Sequence, residues 1–594
     1  GLVTTGLFIA MLGTNSFGGA LSTDTAEHFG VDPSNAQGFN APAVKSSQHD
    51  HSKWPQSVEH VTGIVRAIQA SVARNPPSGD VAAPTEARDE SAPSTILYRV
   101  IGELEALLDS REPGSLKAGA RRHVNLAIGA ISKSIALYGT SPRPAVALKS
   151  LAEAAVSLRA AKLAQHGRVN ETLERASREL ARAARGVAER LMDVAASAKA
   201  PQSVLEEARR LFALGDSAVA NGNYAVAIPR FGAATDLTNG ALTFDIARFE
   251  QNLRDKVEGK TIGHAYTIGL GGQLYSADHP YGYARTATDA PPTDQSPFKE
   301  MYTASMSKTL TAVGLLKALK AAGISVDSSI GPYLPAAWTQ GQNVGSITFE
   351  HLLTHRSGLQ NSGQTLDSLR DVIAAGTPGI LPFNSADYTN GNFGLMRILI
   401  PQITTGADLI AIYSNVLPED HVYAALYAEY ISDEVLSPAA VNAPLCAPGE
   451  AASARTLGYL FSSPNSPGTD FGDWSLECGA KGWYLSVIEL GSFLAFLRYT
   501  NDIVDFDTRA LMDKGFLGWL NPVIYADYVA GKFGDYRAHG GDSHGIPVAG
   551  MTGCAMKFPT AVEATLLINS RGNNISGHAC TVLRDAYDEA WTAP

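Results

Sequence analysis

The segment Met301-Tyr302-Thr303-Ala304-Ser305-Met306-Ser307-Lys308-Thr309 gives the strongest indication of how this chain folds and works. It contains a Ser-x-x-Lys pair, Ser305 and Lys308, and an apolar run, Leu310 to Leu319, that is typical of a helix. If the helix begins at Ser305, the two side chains lie one turn apart on the same face. A hydroxyl becomes a nucleophile when a neighbour takes its proton, and a helix N-terminus favours the developing negative charge. The segment therefore predicts a nucleophilic serine.

Two further motifs lie downstream, in a consistent order. Tyr388-Thr389-Asn390 comes first, and His539-Gly540-Gly541 lies near the end of the chain. A second Ser-x-x-Lys match, at Ser296 to Lys299, has no helical pattern and no such partners. The order of motifs resembles the serine β-lactamase and penicillin-binding protein superfamily, in particular its class C-like branch of esterases, D-aminopeptidases and DD-peptidases.

Two connecting segments strengthen this resemblance. Residues Ile347 to Leu359, with the sequence ITFEHLLTHRSGL, and Gly479 to Ser486, with the sequence GAKGWYLS, are similar to stretches of the same family. The resemblance extends over roughly residues 244–594, and a joint match of this kind is far more specific than one motif.

The resemblance assigns a role to each motif residue. Ser305 would be the nucleophile that forms an acyl-enzyme, and Lys308 and Tyr388 would be the bases that move its proton. Asn390 would orient Lys308 and the substrate amide. Ser305 is equally suited to cap a helix, and the two roles are compatible.

The third motif departs from the commonest pattern of the family. His539 stands where many members have lysine, and a largely neutral imidazole offers a hydrogen bond instead of a fixed charge for a substrate carboxylate. Gly540 and Gly541 leave room for a substrate backbone against an edge strand. The family's oxyanion hole would use the backbone N–H groups of Ser305 and Asp542.

Two other motifs in the sequence suggest different chemistry. Gly541 to Gly545 matches the Gly-x-Ser-x-Gly elbow of α/β-hydrolases, with Ser543 as nucleophile, but a polar segment precedes it and a Gly- and Pro-broken segment follows. His351 and His355 have the spacing of metal ligands on a helix, without the glutamate of His-Glu-x-x-His. We therefore predict neither an α/β-hydrolase nor a metal site, and no cofactor.

Composition bounds the partners of the chain. With 594 residues, 45% of them hydrophobic, it can bury a sizeable core, and its net charge of −11 argues against a nucleic-acid partner. The apolar stretch at Gly1 to Gly13 is too short to span a bilayer, so no transmembrane anchor is expected. It is compatible either with a signal-peptide remnant or with a segment packed on the protein. We predict an exported protein, periplasmic or secreted.

The chain divides into three zones. Residues 1–92 form a leader and Pro/Ser-rich linker with one predicted helix, Ser57 to Ala73. Residues 93–240 carry apolar residues at three- and four-residue steps, which predicts an α-helical bundle with a hairpin turn at Asn221-Gly222-Asn223. This zone shows no catalytic constellation, so we expect a spacer or a module for a protein partner or self-association.

Residues 244–594 form the third zone, the predicted hydrolase domain. A helix is predicted from about Phe244 to Val257, and strand-like runs follow at Ala265 to Leu270 and near Gln273 to Ser276. Strand-like runs return at Gly553 to Phe558 and Val562 to Asn569, before a terminal helix at about 577–591. Strands first and last with helices between predict an α+β fold, and the resemblance implies an antiparallel sheet flanked by helices plus a helical subdomain.

The four cysteines, Cys446, Cys478, Cys554 and Cys580, all fall in this domain. They allow two disulfides in three connectivities, or free buried thiols, and chain order favours Cys446–Cys478 with Cys554–Cys580.

Together these features predict a serine hydrolase that acts through an acyl-enzyme on an ester or amide of peptide, D-amino-acid or small-ester type. One alternative is a catalytically idle penicillin-binding-like recognition or scaffold protein. Another is a true β-lactamase, for which no class A glutamate motif was found.

Overall fold

The computed structural model describes residues 92–110, 116–165, 169–360, 363–415, 417–441, 446–544, 549–572 and 574–593. The predicted helix from Ser57 to Ala73 and the apolar stretch at the start of the chain lie outside the described residues.

The first described zone is a helical region in which six helices pack side by side. Their bounds are α1 Pro93–Asp109, α2 Ala118–Leu137, α3 Pro144–Leu163, α4 Val169–Ser197, α5 Gln202–Ala220 and α6 Tyr224–Gly240. The stripe expected on α4 is buried throughout: Leu173, Ala176, Leu180, Ala183, Val187 and Leu191. The hairpin turn predicted at residues 221–223 is confirmed, since α5 ends and α6 begins on either side of it.

The second zone is built around a sheet of nine strands in the described part of the chain. Including short pairs outside that sheet, the strands are β1 Thr243–Phe244, β2 Gly263–Leu270, β3 Gln273–Ser276, β4 Tyr281–Arg285, β5 Thr293–Asp294, β6 Met301–Tyr302, β7 Tyr459–Leu460, β8 Tyr484–Leu485, β9 Ala530–Gly531, β10 Gly534–Asp535, β11 Arg537–His544, β12 Gly550–Lys557, β13 Val562–Ile568, β14 Ser570–Arg571 and β15 Trp591–Thr592.

The central order of the sheet is β11-β12-β13-β2, with β3 and β4 also paired to β2. The pairing of β13 with β2 brings the beginning and the end of the domain together, as predicted for an α+β fold. All pairs are antiparallel except β14 with β7, which are parallel. Strand β11 is paired only to β12 among the described strands, so one of its edges stays open.

Helices cover both faces of the sheet and form a subdomain beside it. Their bounds are α7 Ile246–Val257, α8 Ser307–Ala321, α9 Phe349–Leu353, α10 Leu366–Ala375, α11 Asn390–Thr404, α12 Ala407–Ser414, α13 Glu419–Ile431, α14 Val487–Tyr499, α15 Phe506–Gly515, α16 Ala526–Val529 and α17 Ala579–Asp588. Helix α14 packs on β2 and β13, whereas α7 and α17 pack against each other in a second core that includes residues of β12 and β13. Helices α8, α11 and α13 contact one another in the subdomain.

One expectation about the helices is wrong in detail. The α-helix that follows the first motif begins at Ser307, two residues later than predicted, because Ala304–Met306 form a 3₁₀ turn. Ala304 enters that turn with a φ of +47°, a left-handed conformation that no sequence pattern announces.

The cysteines are paired within the second zone. Cys446 pairs with Cys478 and Cys554 with Cys580, at Cα–Cα distances of 5.8 and 5.1 Å, which is the connectivity that chain order favours. The second pair joins β12 to α17, directly behind the open strand β11.

The helical region packs directly on the second zone. The Tyr98 ring stacks on the Phe383 ring with centroids 3.9 Å apart. Nη1 of Arg537 donates to the Tyr138 carbonyl over 3.3 Å. A Cβ atom added to Gly139 would collide with the backbone of Asp535. The two backbone segments therefore lie too close together at this point for any residue other than glycine.

Among the described helices, no single one has both the length and the apolar character needed to cross a bilayer. Helices α11 and α12 meet that test only together, as a pair bent by 109°.

Candidate active site

Ser305 lies in the 3₁₀ turn between β6 and α8, and its neighbours fix it there. Strand β6 pairs with β8, and the Thr303 amide donates to the Trp483 carbonyl over 2.9 Å. Ser305 is partly exposed, whereas Ala304 and Met306 on either side are buried. The turn therefore presents one hydroxyl to the surface of an otherwise buried segment.

Lys308, the second residue of α8, is fully buried and brings three segments together. Its Nζ atom donates to Oγ of Ser305 over 2.9 Å, to Oδ1 of Asn390 over 2.7 Å and to the carbonyl of Ala480 over 2.8 Å. The same Nζ lies 4.9 Å from the centroid of the Tyr388 ring. Four residues predicted from the first two motifs, Ser305, Lys308, Tyr388 and Asn390, thus converge on one ammonium group.

His355 holds Tyr388 from the other side. The two rings stack with centroids 4.3 Å apart. The amide of Asp387 donates to the His355 carbonyl over 2.9 Å, and the amide of Thr389 donates to Nδ1 over 3.3 Å. His355 thus contacts the ring of Tyr388 and the backbone on both sides of it, from a left-handed conformation with φ +57°. Such strained residues cluster at functional sites.

His539 lies on β11, on the same side of the sheet as Ser305. It is 2% exposed, and its Nδ1 lies 2.7 Å from the Gly540 carbonyl. Burial and, as the second cause, the Lys308 charge lower the pKa of His539 to about 3. Burial and then Lys308 also hold the pKa of His355 well below its usual range. Both imidazoles are therefore neutral near pH 7.

The two glycines of the third motif have different surroundings. A Cβ atom on Gly541 would overlap the Thr303 carbonyl and lie 3.3 Å from the Ser305 amide nitrogen. A Cβ atom on Gly540 would overlap the His578 ring on the opposite face. Gly541 thus lets β11 approach Ser305, and Gly540 lets α17 pack closely behind the strand.

Asp542 follows on β11, and its side chain is engaged away from Ser305. The carboxylate lies 3.0 Å from Nη1 of Arg571 and 3.5 Å from Nε2 of His578. The predicted use of the Asp542 N–H with that of Ser305 as an oxyanion hole stays a prediction.

Two participants were not identified from the sequence. The Ala480 carbonyl contacts Lys308, yet a backbone oxygen leaves no residue signature; the only signal was the glycine-rich segment around it. The stacking of His355 on Tyr388 was not predicted either, because the sequence suggests this histidine only as a metal ligand or as part of the family's loop.

The competing motifs are explained by the structure. Ser543 is buried within β11, and the next described element is strand β12, so the strand-to-helix elbow of an α/β-hydrolase is absent from the described residues. His351 belongs to a capping box, in which its Nδ1 accepts from the Thr348 amide over 3.1 Å. Lys299 of the second Ser-x-x-Lys match pairs with Glu450 instead of a serine.

Comparison with known families agrees with this geometry. Residues 247–522 match the family model described as Beta-lactamase. This segment is a beta-lactamase family domain. It contains Ser305, Lys308, Tyr388 and Asn390, and it belongs to a family of serine hydrolases. Strand β11 with His539 lies beyond the matched residues but belongs to the same sheet. We call the whole second zone, residues 244–593, the beta-lactamase domain.

Several solved structures resemble the chain at low identity. The octameric penicillin-binding protein homologue from Pyrococcus abyssi is 18% identical over 58% of this chain and 76% of its own, with a TM-score of 0.42. A β-lactamase/D-alanine carboxypeptidase from Pseudomonas syringae is 17% identical over 58% and 98%, with a TM-score of 0.42. A D-stereospecific amidohydrolase from Streptomyces sp. is 18% identical over 57% and 97%, with a TM-score of 0.40. No curated protein matches the chain.

Proposed function

We propose that the beta-lactamase domain is an exported serine hydrolase that cleaves an ester or amide through an acyl-enzyme on Ser305. The observation that carries the proposal is the contact of 2.9 Å between Nζ of Lys308 and Oγ of Ser305, with Tyr388 beside the same Nζ. A base within hydrogen-bond reach of a hydroxyl is the arrangement that nucleophilic catalysis requires.

The position of the pair supports the same conclusion. Lys308 is fully buried while Ser305 is partly exposed, so the base is shielded from water and the nucleophile is open to a substrate. Asn390 and the Ala480 carbonyl accept hydrogen bonds from Lys308 and fix the direction of its Nζ. A preorganised group loses little freedom when the reaction begins, which favours catalysis.

In the proposed reaction, Lys308 and Tyr388 together hold one proton fewer than an ammonium and a phenol. This pair accepts the Ser305 proton as Oγ bonds to the substrate carbonyl carbon. The carbonyl π electrons move to oxygen, where the N–H groups of Ser305 and Asp542 would stabilise the oxyanion. The intermediate collapses as Tyr388 returns the proton to the leaving alcohol or amine. Water then attacks the acyl-enzyme by the same route, which releases the acid and regenerates Ser305.

The chemistry of the third motif bears on the substrate. His539 offers a neutral imidazole where a lysine would offer a charge, since its pKa is lowered to about 3. A substrate carboxylate gains less from a neutral donor than from an ammonium group. We therefore favour esters and amides whose leaving group carries no carboxylate over carboxylate-bearing peptides and β-lactams.

The test is labelling of the purified full chain with a fluorescent alkyl phosphonate and, separately, a fluorescent penicillin. Ser305→Ala is compared with wild type, and Ser543→Ala serves as a matched control because it removes a serine from the neighbouring strand. We expect the phosphonate to label wild type and Ser543→Ala at Ser305, and Ser305→Ala to lose both labelling and ester turnover.

Each other outcome has a defined meaning. Label on Ser543 would revive the α/β-hydrolase interpretation. No label with either probe would favour a recognition or scaffold protein, and rapid turnover of the penicillin would indicate a true β-lactamase.

A further inference from the structure

Helix α1 of the helical region is inserted into the boundary with the beta-lactamase domain. Its first six residues, Pro93, Ser94, Thr95, Ile96, Leu97 and Tyr98, are all buried, whereas a helix on the surface of a bundle buries only one stripe. Burial on all sides means that α1 is covered by the other helices on one side and by the beta-lactamase domain on the other. Tyr98 makes the closest described aromatic contact across this boundary.

Tyr98 contacts the segment that carries the candidate base. Its ring stacks on Phe383 with centroids 3.9 Å apart and an interplanar angle of 16°. Phe383 lies five residues before Tyr388, on a segment anchored at Leu381. The Leu381 amide donates to the Arg356 carbonyl over 2.9 Å, and the Leu381 carbonyl accepts from Nε of Arg356 over 3.1 Å. His355, the neighbour of Arg356, holds the other end at Tyr388 itself. The Tyr98 ring therefore supports the middle of a segment whose two ends fix the position of Tyr388.

The same ring also packs near the first residue of strand β11. Tyr98 meets Phe516 edge-on at 6.4 Å, and the Arg537 guanidinium lies 4.0 Å above the Phe516 ring. Arg537 is the first residue of β11, two positions before His539, and it donates to the Tyr138 carbonyl of the helical region. One aromatic side chain thus touches the supports of both catalytic segments.

We infer that Tyr98 is a positioning residue: the helical region holds the segments of Tyr388 and His539 in place through this ring. The inference rests on the proposed function. It gives residues 93–240 a role that the sequence did not, since they act on the site through packing and contribute no group to the chemistry. Displacement of a catalytic group by about 1 Å lowers rates on the order of 100-fold.

The hydroxyl of Tyr98 supplies a matched control. It is buried and, within the described residues, has no hydrogen-bond partner. Replacement by phenylalanine therefore keeps the stacked ring and removes only a group that gains nothing from burial. Tyr98→Ala removes the ring as well. Comparison of the two variants therefore separates the effect of the stacked ring from that of the hydroxyl.

A second control separates support from general loss of stability. Ile228 is fully buried in α6, which packs against α3, α4 and α5. Ile228→Ala loosens the helical region without removing a contact described at the boundary.

The experiment measures kcat, KM and the pH profile of kcat/KM for hydrolysis of p-nitrophenyl acetate by the full chain, together with Tm. We expect Tyr98→Ala to lower kcat about 10- to 100-fold with little change in KM and to shift the basic limb of the profile. Tyr98→Phe should match wild type, and Ile228→Ala should lower Tm while keeping kcat and the profile.

Phosphonate labelling distinguishes the two proposals. If wild type is labelled at Ser305 and Tyr98→Ala hydrolyses the ester like wild type, the positioning role is wrong and the proposed function stands. Equal loss of kcat in Tyr98→Ala and Ile228→Ala at matched loss of Tm would also overturn it, in favour of a purely structural role. Absence of label in wild type would overturn the proposed function and this inference together.

Discussion

The helical region and the beta-lactamase domain bury different kinds of residue. In the helical region the buried side chains are mainly Ala, Leu, Ile and Val, and ion pairs such as Arg185–Asp216 lie at the surface. In the beta-lactamase domain Lys308, Arg397 and Lys557 are all at most 5% exposed. Since a buried charge is costly unless it is bonded, each of these must lie in a site built for it.

The buried cations differ in what surrounds them. Arg397 contacts Asp420 over 2.6 Å, and Lys557 contacts Asp513 over 2.7 Å, so both have carboxylates as partners. The three atoms bonded to Lys308 described above are neutral oxygens, and one of them is a partly exposed hydroxyl. Neutral partners alone do not mark a reactive group, since Arg537, which is 1% exposed, also donates to backbone carbonyls. What sets Lys308 apart is the partly exposed serine hydroxyl among its partners, as the proposed function requires.

Removal of the buried lysine should have the largest effect. We expect Lys308→Ala to lower kcat/KM for an ester on the order of 1,000-fold or more, because Ser305 loses its closest base. Lys299→Ala, from the other Ser-x-x-Lys match, is the control and should retain activity, since Lys299 pairs with Glu450. Steady-state kinetics checks both variants. A Lys308→Ala variant as active as wild type would show that Lys308 differs from the other buried cations only in structure.

A core substitution in the helical region should lower stability and leave catalysis unchanged. Leu180 of α4 is fully buried, so Leu180→Ala should lower the free energy of unfolding by about 2 to 5 kcal/mol. Below the unfolding transition kcat should stay within about twofold of wild type, since no contact across the boundary is removed. Urea unfolding and kinetics at 25 °C test this. Leu163, which is 77% exposed, supplies a control that should change neither quantity.

The pH dependence of stability should come from the beta-lactamase domain. His539 has a pKa lowered to about 3 in the folded state, against an ordinary value of 6.5. Between these values the unfolded chain binds the proton more readily, so stability present above pH 6.5 is lost as pH falls. The loss is about 1.4 kcal/mol per pH unit for one such group. His539→Gln should reduce the difference in unfolding free energy between pH 7.5 and 5. An unchanged difference would show that other groups cause the pH dependence of stability.

Replacement of the His539 imidazole by an ammonium group should change the preference between substrates more than the rate of hydrolysis. We expect His539→Lys to raise kcat/KM for a carboxylate-bearing ester about tenfold relative to its neutral analogue, since hydrogen bonds to charged groups are stronger by about 0.5 to 2 kcal/mol. The measurement is competition between the two esters. A ratio equal to that of wild type would show that this strand does not face the leaving group.

The order of motifs predicted which residues of the first two motifs lie together, whereas their catalytic roles stay a prediction. Ser305, Lys308, Tyr388 and Asn390 were found because proton transfer restricts which residue types can occur at those positions, and the buried stripe of α4 was found because packing imposes a period. The start of α8 was misplaced because Ala304 adopts a positive φ that depends on tertiary contacts and not on its own preference.

Contacts between distant segments were beyond sequence analysis. The bond from Lys308 to the Ala480 carbonyl uses a backbone atom that every residue has. The stacking of Tyr98 on Phe383 joins two aromatic residues with no common motif, and each alone is typical of a buried core. Such contacts arise from the packing of two zones, which no local pattern encodes.

The most direct test of the account is to trap the acyl-enzyme during turnover. Wild-type protein is quenched in acid seconds after mixing with excess p-nitrophenyl acetate, and its intact mass and peptide map are measured. The account predicts one added acetyl group on the peptide that contains Ser305, and none on Ser305→Ala. Hydrolysis that continues in Ser305→Ala, or an acyl group on any other residue of the turning-over enzyme, would contradict it.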